Sequence, residues 1–236
     1  MTRWSYHLPI LGYHRIGVYR ADHVPTISQE AFERQLAWLA RFRYRVLSLD
    51  AVVDHLERGG ALPRRSVAIT FDDGYEETYT VAWPLLKRFE FSAAVFVAPA
   101  EVGCQGFATW EQLVEMARDG LTVGSHTMHH SYLPLVSEER LRDELVQSKQ
   151  LIEARLGQPV LYLSYPIGGF TPAAQAFARQ AGYRAACTTN RTASRAGLAR
   201  YALRRIKMTE RDAHPLALLA KVSGYYDLFR RLKQPS

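Results

Sequence analysis

The sequence predicts an α/β protein whose mostly parallel sheet is buried on both faces and closed, or nearly closed, on itself. Two observations lead there. Short β-rich runs alternate with amphipathic helical patterns from one end of the chain to the other. No repeat, low-complexity tract or obvious linker interrupts the alternation, so residues 1–236 are expected to form one domain.

Taken in order, the expected strands are 8–13, 67–71, 93–97, 121–125, 160–165, 185–189 and 201–206. After the first, Phe32, Leu36 and Leu39 recur at helical spacing behind Ser28, a residue type that caps helix N-termini. Thr109 with Gln112 three places on is a capping box, and Trp110, Leu113 and Ala117 follow it. The longest pattern, 137–156, carries Leu141, Leu145, Ile152 and Leu156, and Gly157 and Pro159 stop it. In a parallel barrel the loops leaving the strand C-termini carry the chemistry, so a functional motif belongs just after an expected strand.

Composition excludes several classes. A chain of 236 residues, 47% apolar, can bury a core without a disulfide or a structural metal. Cys104 and Cys187 belong to no metal-ligand pair and fit a reducing compartment or two buried thiols. No apolar run approaches the roughly 18 residues of a membrane span. The N-terminus lacks a basic–apolar–small cleavage pattern, so a cytoplasmic location is expected.

The net charge of +7 is uneven: residues 191–236 hold eleven Lys or Arg against three acids. Such an excess suits an anionic partner or a solvated tail. A basic amphipathic segment is expected at about 213–236, with Leu216, Leu219, Val222, Tyr226 and Phe229 as a stripe before Arg230, Arg231 and Lys233. Packing of the stripe against the domain is the first expectation; peripheral contact with an anionic membrane, at its inner face, is the second. No nucleic-acid-binding motif is present, and no nucleic-acid partner is expected.

Two motifs carry chemistry. Thr70-Phe71-Asp72-Asp73-Gly74 closes the strand 67–71. Adjacent carboxylates there cannot both ionise cheaply without a cation or hydrogen-bond donors, and Gly74 lets the backbone turn so that the two diverge. An ordinary Asp-Asp-Gly turn is the plainer reading. Gly124-Ser125-His126-Thr127-Met128-His129-His130 follows the strand 121–125. His126 and His130, at i and i+4, would share one face of a helical turn and could hold a metal, with His129 pointing elsewhere. Together the motifs offer two imidazoles and a carboxylate, the donor set of a catalytic zinc centre with an open position for water. The spare carboxylate is then free to act as a base.

At these residues the sequence resembles the polysaccharide deacetylases, the carbohydrate esterases of the NodB-homology type. The run 70–74 is similar to their first signature and His126-Thr127-x-x-His130 to their second. Pro9-Ile10-Leu11-Gly12-Tyr13-His14-Arg15, Leu62-Pro63 and Leu163-Ser164-Tyr165-Pro166-Ile167-Gly168 agree. The last phrase is similar to the third motif of the branch that deacetylates poly-N-acetylglucosamine. The resemblance implies a distorted (β/α) barrel of seven or eight strands. It also implies Asp72 as general base, with Asp73, His126 and His130 holding a divalent metal, Zn2+ by expectation.

The sequence departs from the family pattern twice. The third motif lacks the Arg that braces the catalytic Asp, and Arg205, in Leu203-Arg204-Arg205-Ile206, is the expected substitute. The late Leu-x-x-His motif is absent, and His214 stands in a different context. Resemblance to the poly-N-acetylglucosamine branch puts the general acid at His14 in Tyr13-His14. The Ile167 amide is expected to help hold the oxyanion. Trp110 could stack on a sugar, though packing is the commoner use. The expected activity is removal of the N-acetyl group from an N-acetylated amino sugar, as a glycan or a carrier-linked sugar. Deacylation of a lipid-linked sugar and a carbohydrate-binding module on an impaired scaffold are the alternatives.

Overall fold

A computed structural model describes residues 8–17, 23–58, 63, 65–190 and 199–226. Strand β1 (Ile10–Tyr13) is wholly buried, and the short strands β2 (Arg15–Ile16) and β3 (Thr26–Ile27) pair with each other beyond it. Helix α1 (Gln29–Arg41) starts at Ser28, whose Oγ accepts the Ala31 amide. Then come β4 (Arg45–Val46), α2 (Leu49–Arg58), β5 (Ser66–Phe71), α3 (Trp83–Arg88), β6 (Ala94–Val97) and α4 (Trp110–Arg118). The chain continues through β7 (Thr122–Ser125), α5 (Glu138–Leu156), β8 (Tyr162–Ser164), α6 (Pro172–Gln180), β9 (Ala185–Thr188), β10 (Leu203–Lys207) and α7 (Pro215–Val222).

Seven parallel strands close into a barrel in the order β1, β5, β6, β7, β8, β9, β10 and back to β1. β1 is the closing strand: Ile10 registers with Arg205 on one side and with Ala68 on the other. The distortion is visible at the seam between β7 and β8, where Ser125 and Leu163 form the registered pair. The expected (β/α) barrel of seven or eight strands is therefore one of seven, with β4 paired to the start of β5.

Alternation along the strands divides the apolar residues between two cores. Leu11, Val67, Ile69, Val95, Val123 and Leu163 face the helices, where Phe32, Leu36, Leu113, Leu141 and Leu145 meet them. Ile10, Ala68, Ala94, Phe96, Tyr162, Cys187 and Leu203 fill the interior together with Leu49, Val52 and Val53 of α2. Arg184 ties α2 in place by pairing with Asp50, Asp54 and Glu57. The interior is packed, and the strand C-termini are left to carry the chemistry.

The capping signals hold in detail. Thr109 and Gln112 form a reciprocal capping box on α4, and Ser137 caps α5, which stops at a left-handed Gly157. The two-residue strands β2, β3 and β4 are too short to show a periodicity and were not expected.

Two expectations need correction. α7 begins at Pro215 with His214 as its cap, so Leu218 and Val222 turn inward while Leu216 and Leu219 are exposed. The stripe thus splits by helical phase instead of packing as a unit, and Phe229, Arg230, Arg231 and Lys233 lie outside the described residues. Cys104 is exposed, so only Cys187 of the two thiols is buried.

Gly124 gives the interior packing a test. A Cβ there would lie 2.6 Å from Phe96 Cδ1 and 2.8 Å from the Tyr162 carbonyl. Gly124→Ala is expected to destabilise the fold by about 1–3 kcal/mol through overpacking. Urea titration should read this as a lower midpoint at unchanged slope.

Candidate active site

The two adjacent carboxylates separate because the backbone turns between them. The Asp72 amide donates to the Tyr13 carbonyl (2.9 Å), extending the β1–β5 ladder by one residue and sending its side chain inward. Asp73 and Gly74 then adopt left-handed conformations (φ 71° and 74°), and the Asp73 side chain points into the barrel mouth. Gly74 is required sterically as well, since a Cβ there would lie 2.7 Å from Val97 Cγ1.

Asp72 is buried against Arg205, which grips it with both ends of the guanidinium: Nη1 to Oδ1 at 2.7 Å and Nη2 to Oδ2 at 2.5 Å. The same guanidinium donates to Thr70 Oγ1 (3.1 Å) and Ser164 Oγ (2.8 Å). Burial alone would push Asp72 up, but Arg205 and the nearby imidazoles hold it below the usual carboxylate range.

His126 extends the β7 ladder by donating its amide to Val97 (2.7 Å), and its ring is buried. Its Nδ1 lies 2.7 Å from the Ser164 carbonyl, which can only accept, so Nδ1 carries the proton. In the neutral ring Nε2 is then a lone pair aimed at Asp73 Oδ1, 3.4 Å away. His130 Nε2 approaches the same oxygen at 3.3 Å, and that oxygen is buried without a hydrogen-bond partner. Donor atoms of Asp73, His126 and His130 all lie within 4.8 Å of one another. One carboxylate oxygen and two imidazole nitrogens gathered at this spacing are a donor set that fits a divalent cation, and that set suits zinc.

One sequence argument fails here. Residues 126–130 are not helical, and Thr127 and His130 are left-handed (φ 66° and 54°). His126 and His130 converge through an irregular loop, and His129 is turned away toward Glu144.

His14 leaves the end of β1 with Nε2 3.8 Å from Asp72 Oδ2. Burial holds it below the usual imidazole range, against the pull of Asp72 and Asp73. Ile167 lies across the mouth in a turn closed by the Gly168 amide to Tyr165 (2.9 Å) and the Gly169 amide to Pro166 (3.1 Å). Both bonds bypass the Ile167 amide. Its φ of 57° is strained for a β-branched residue, and its side chain is 75% exposed.

These residues line a cleft of ≈ 490 Å³ at the barrel mouth, apart from Arg205, which lies beneath Asp72. Sequence reasoning missed other walls: His23, Glu101 and Lys207, and Tyr75 stacked on Phe107 (5.0 Å between centroids). Tyr75 directly follows Asp-Asp-Gly, a position that could have flagged it; the others carry no local signal. Burial, with Asp73 alongside, pushes Tyr75 up to about 12. Trp110 lies outside the cleft on α4, with Arg155 over its ring. His214 is a helix cap.

Comparison with known proteins agrees with this fold. The family model for polysaccharide deacetylase matches residues 59–186. YxkH of Bacillus subtilis (strain 168), which carries a polysaccharide deacetylase name, is 31% identical over 202 residues, covering 86% of this chain and 71% of that protein. The poly-beta-1,6-N-acetyl-D-glucosamine N-deacetylase of Staphylococcus aureus (strain MRSA252) is 29% identical over 157 residues, 61% of this chain; the match spans about half of that relative (54%). Among solved structures, the Streptococcus pyogenes deacetylase PplD in complex with acetate superposes with a TM-score of 0.82 at 27% identity, covering 91% of this chain and 97% of that one. The sequence match and the barrel together show that this chain belongs to the polysaccharide deacetylase family.

Proposed function

We propose that this protein hydrolyses the N-acetyl amide of an N-acetylated amino sugar, releasing acetate and a free amine. The carrying observation is the convergence of Asp73, His126 and His130 beside an Asp72 already paired to Arg205. The similarity to the Staphylococcus aureus poly-beta-1,6-N-acetyl-D-glucosamine N-deacetylase supports an N-acetylglucosamine glycan as substrate. A pure binding module would have no use for a carboxylate held beside a cation site.

Asp73, His126 and His130 would hold the ion, zinc by donor chemistry. When bound, it supplies Lewis acidity, polarising the acetyl carbonyl and acidifying the attacking water. Asp72, fixed by Arg205, takes the proton that water loses as the new C–O bond forms. The Ile167 amide, free of the turn's own bonds, donates to the oxyanion of the tetrahedral intermediate. His14 is neutral at rest because burial lowers its pKa, so it must acquire its proton during the reaction. Asp72 Oδ2, 3.8 Å from His14 Nε2, is the source. His14 then protonates the sugar nitrogen as the C–N bond breaks.

A carrier-linked sugar is the second reading. Lys207 favours it: this side chain lines the cleft and forms no ion pair with another described residue, so it could meet a carrier phosphate. Peripheral contact with an anionic membrane, through the exposed Leu216 and Leu219, would accompany that substrate.

Three outcomes are expected. Chelation should abolish acetate release from N-acetylglucosamine oligomers and Zn2+ should restore it, while Asp73→Ala should lose both metal and activity. An Asp73→Ala variant that kept both would refute the metal assignment.

Asp72→Asn and His14→Gln should each lower kcat by about 10²–10⁴-fold with metal retained. On an acetate ester with an activated leaving group, His14→Gln should recover most of its rate and Asp72→Asn should not, because only the acid becomes dispensable.

Arg205→Ala should destabilise the fold by about 3–5 kcal/mol, since it leaves Asp72 buried and unpaired. Thermal and urea unfolding would measure this, and Arg205→Ala with Asp72→Asn together should recover part of the loss.

A further inference from the structure

The two histidines of the metal motif are brought together by a loop that lacks the hydrogen bonds a helix would give it. Of its successive amides, Thr127 donates to Ser125 Oγ (3.1 Å), and Met128 and His129 both donate to Glu144 Oε2 (2.8 and 2.9 Å). The other Glu144 oxygen, Oε1, receives Ser131 Oγ (2.9 Å), lies 3.0 Å from His129 Nδ1, and is paired with Arg140 Nη2 (2.7 Å). Glu144 stands in the middle of α5, and its side chain is fully buried.

A carboxylate buried there would be costly if it served only to fill space, since Leu or Met would pack against the barrel without desolvating a charge. Its donors come from residues 128 to 131, the stretch joining His126 to His130, and from Arg140 on its own helix. One turn further along α5, Ser148 Oγ meets Ser125 Oγ (2.8 Å), the acceptor for the Thr127 amide. A single helical face therefore accepts the amides of residues 128 and 129 and braces the β7 hydroxyl that accepts the amide of residue 127. Two residues of this stretch, Thr127 and His130, hold left-handed conformations, which persist only where the surroundings over-determine them.

We propose that Glu144 is a positioning residue for the metal centre: its carboxylate imposes the irregular loop that aims His126 and His130 at Asp73. The proposal rests on the metal reading given above. It concerns the shape of the apo loop, so it is tested through Zn2+ affinity and not through turnover.

Glu144→Gln keeps the shape but turns an amide NH2 toward one set of donors whichever way it is oriented. Zn2+ binding, measured by competition with a chromophoric chelator, should weaken by about 10–100-fold. Glu144→Asp, which keeps both oxygens but is one methylene shorter, should weaken it less, restoring part of the loss. Should the Gln variant not fold, Glu144→Asp is read alone against the parent.

The control is Glu153→Gln on the same helix, which touches Lys149 and the Val160 amide but not the loop. It should lower unfolding stability without changing Zn2+ affinity. Parent-like Zn2+ affinity in both Glu144 variants, with stability lowered as in Glu153→Gln, would overturn the proposal and leave the metal reading intact. A parent protein that fails to bind Zn2+ would overturn both.

Discussion

Arg205 is the residue on which the proposed site turns. Its guanidinium, buried where β10 closes on β1, reaches the Asp72 carboxylate, Thr70 Oγ1 and Ser164 Oγ. Ser164 in turn accepts His126 Nδ1 through its backbone carbonyl. A chain of direct contacts thus runs from the proposed base, through one arginine and one serine, to a metal-ligand candidate on another strand. None of it exists unless the barrel closes, because Asp72 and Arg205 are 133 residues apart in sequence. A buried ion pair contributes little net stability, as desolvation offsets most of the attraction. What it supplies is a single orientation for the carboxylate.

Four of the eight non-glycine residues with positive φ among the described residues fall in the same place. Asp73, Thr127, His130 and Ile167 all have positive φ without being glycine, and all belong to the turns that leave β5, β7 and β8. Each departure does geometric work. At Asp73 it separates two neighbouring carboxylates. At Thr127 and His130 it folds the histidine loop, and at Ile167 it presents an amide to the mouth. Such conformations persist because the barrel beneath is rigid and its hydrogen bonds hold the turns in place.

This division explains what could be read in advance. Strands buried on both faces and helices with capping residues follow local rules, so 8–13, 67–71 and 93–97 lie within two residues of β1, β5 and β6. The ends of α5 follow from Ser137 and Gly157 alone. The histidine spacing singles out two residues that the structure does bring together, but by another route: the i, i+4 reading expects a helical turn, and an irregular loop is found. Glu144 was invisible because, on an amphipathic helix, a Glu beside Leu145 reads as surface; only its burial distinguishes it. His23 and Lys207 likewise gain meaning from the barrel, which gathers the ends of distant strands around one cleft.

The Asp72–Arg205 pair poses a chemical question, because a guanidinium that stabilises a carboxylate also makes it a weaker base. The alternative is worse. A second carboxylate lies one residue away, and burial and like charge both push Asp72 toward its protonated form, which accepts no further proton. Arg205 keeps it ionised and fixes both oxygens, leaving Oδ2 toward His14. The lost basicity is tolerable only if the water it serves is itself acidified, which is the service a cation on Asp73, His126 and His130 would provide. On the proposed reading the two carboxylates need each other's environments: the second would carry the ion that lets the first, weakened by its arginine, be base enough.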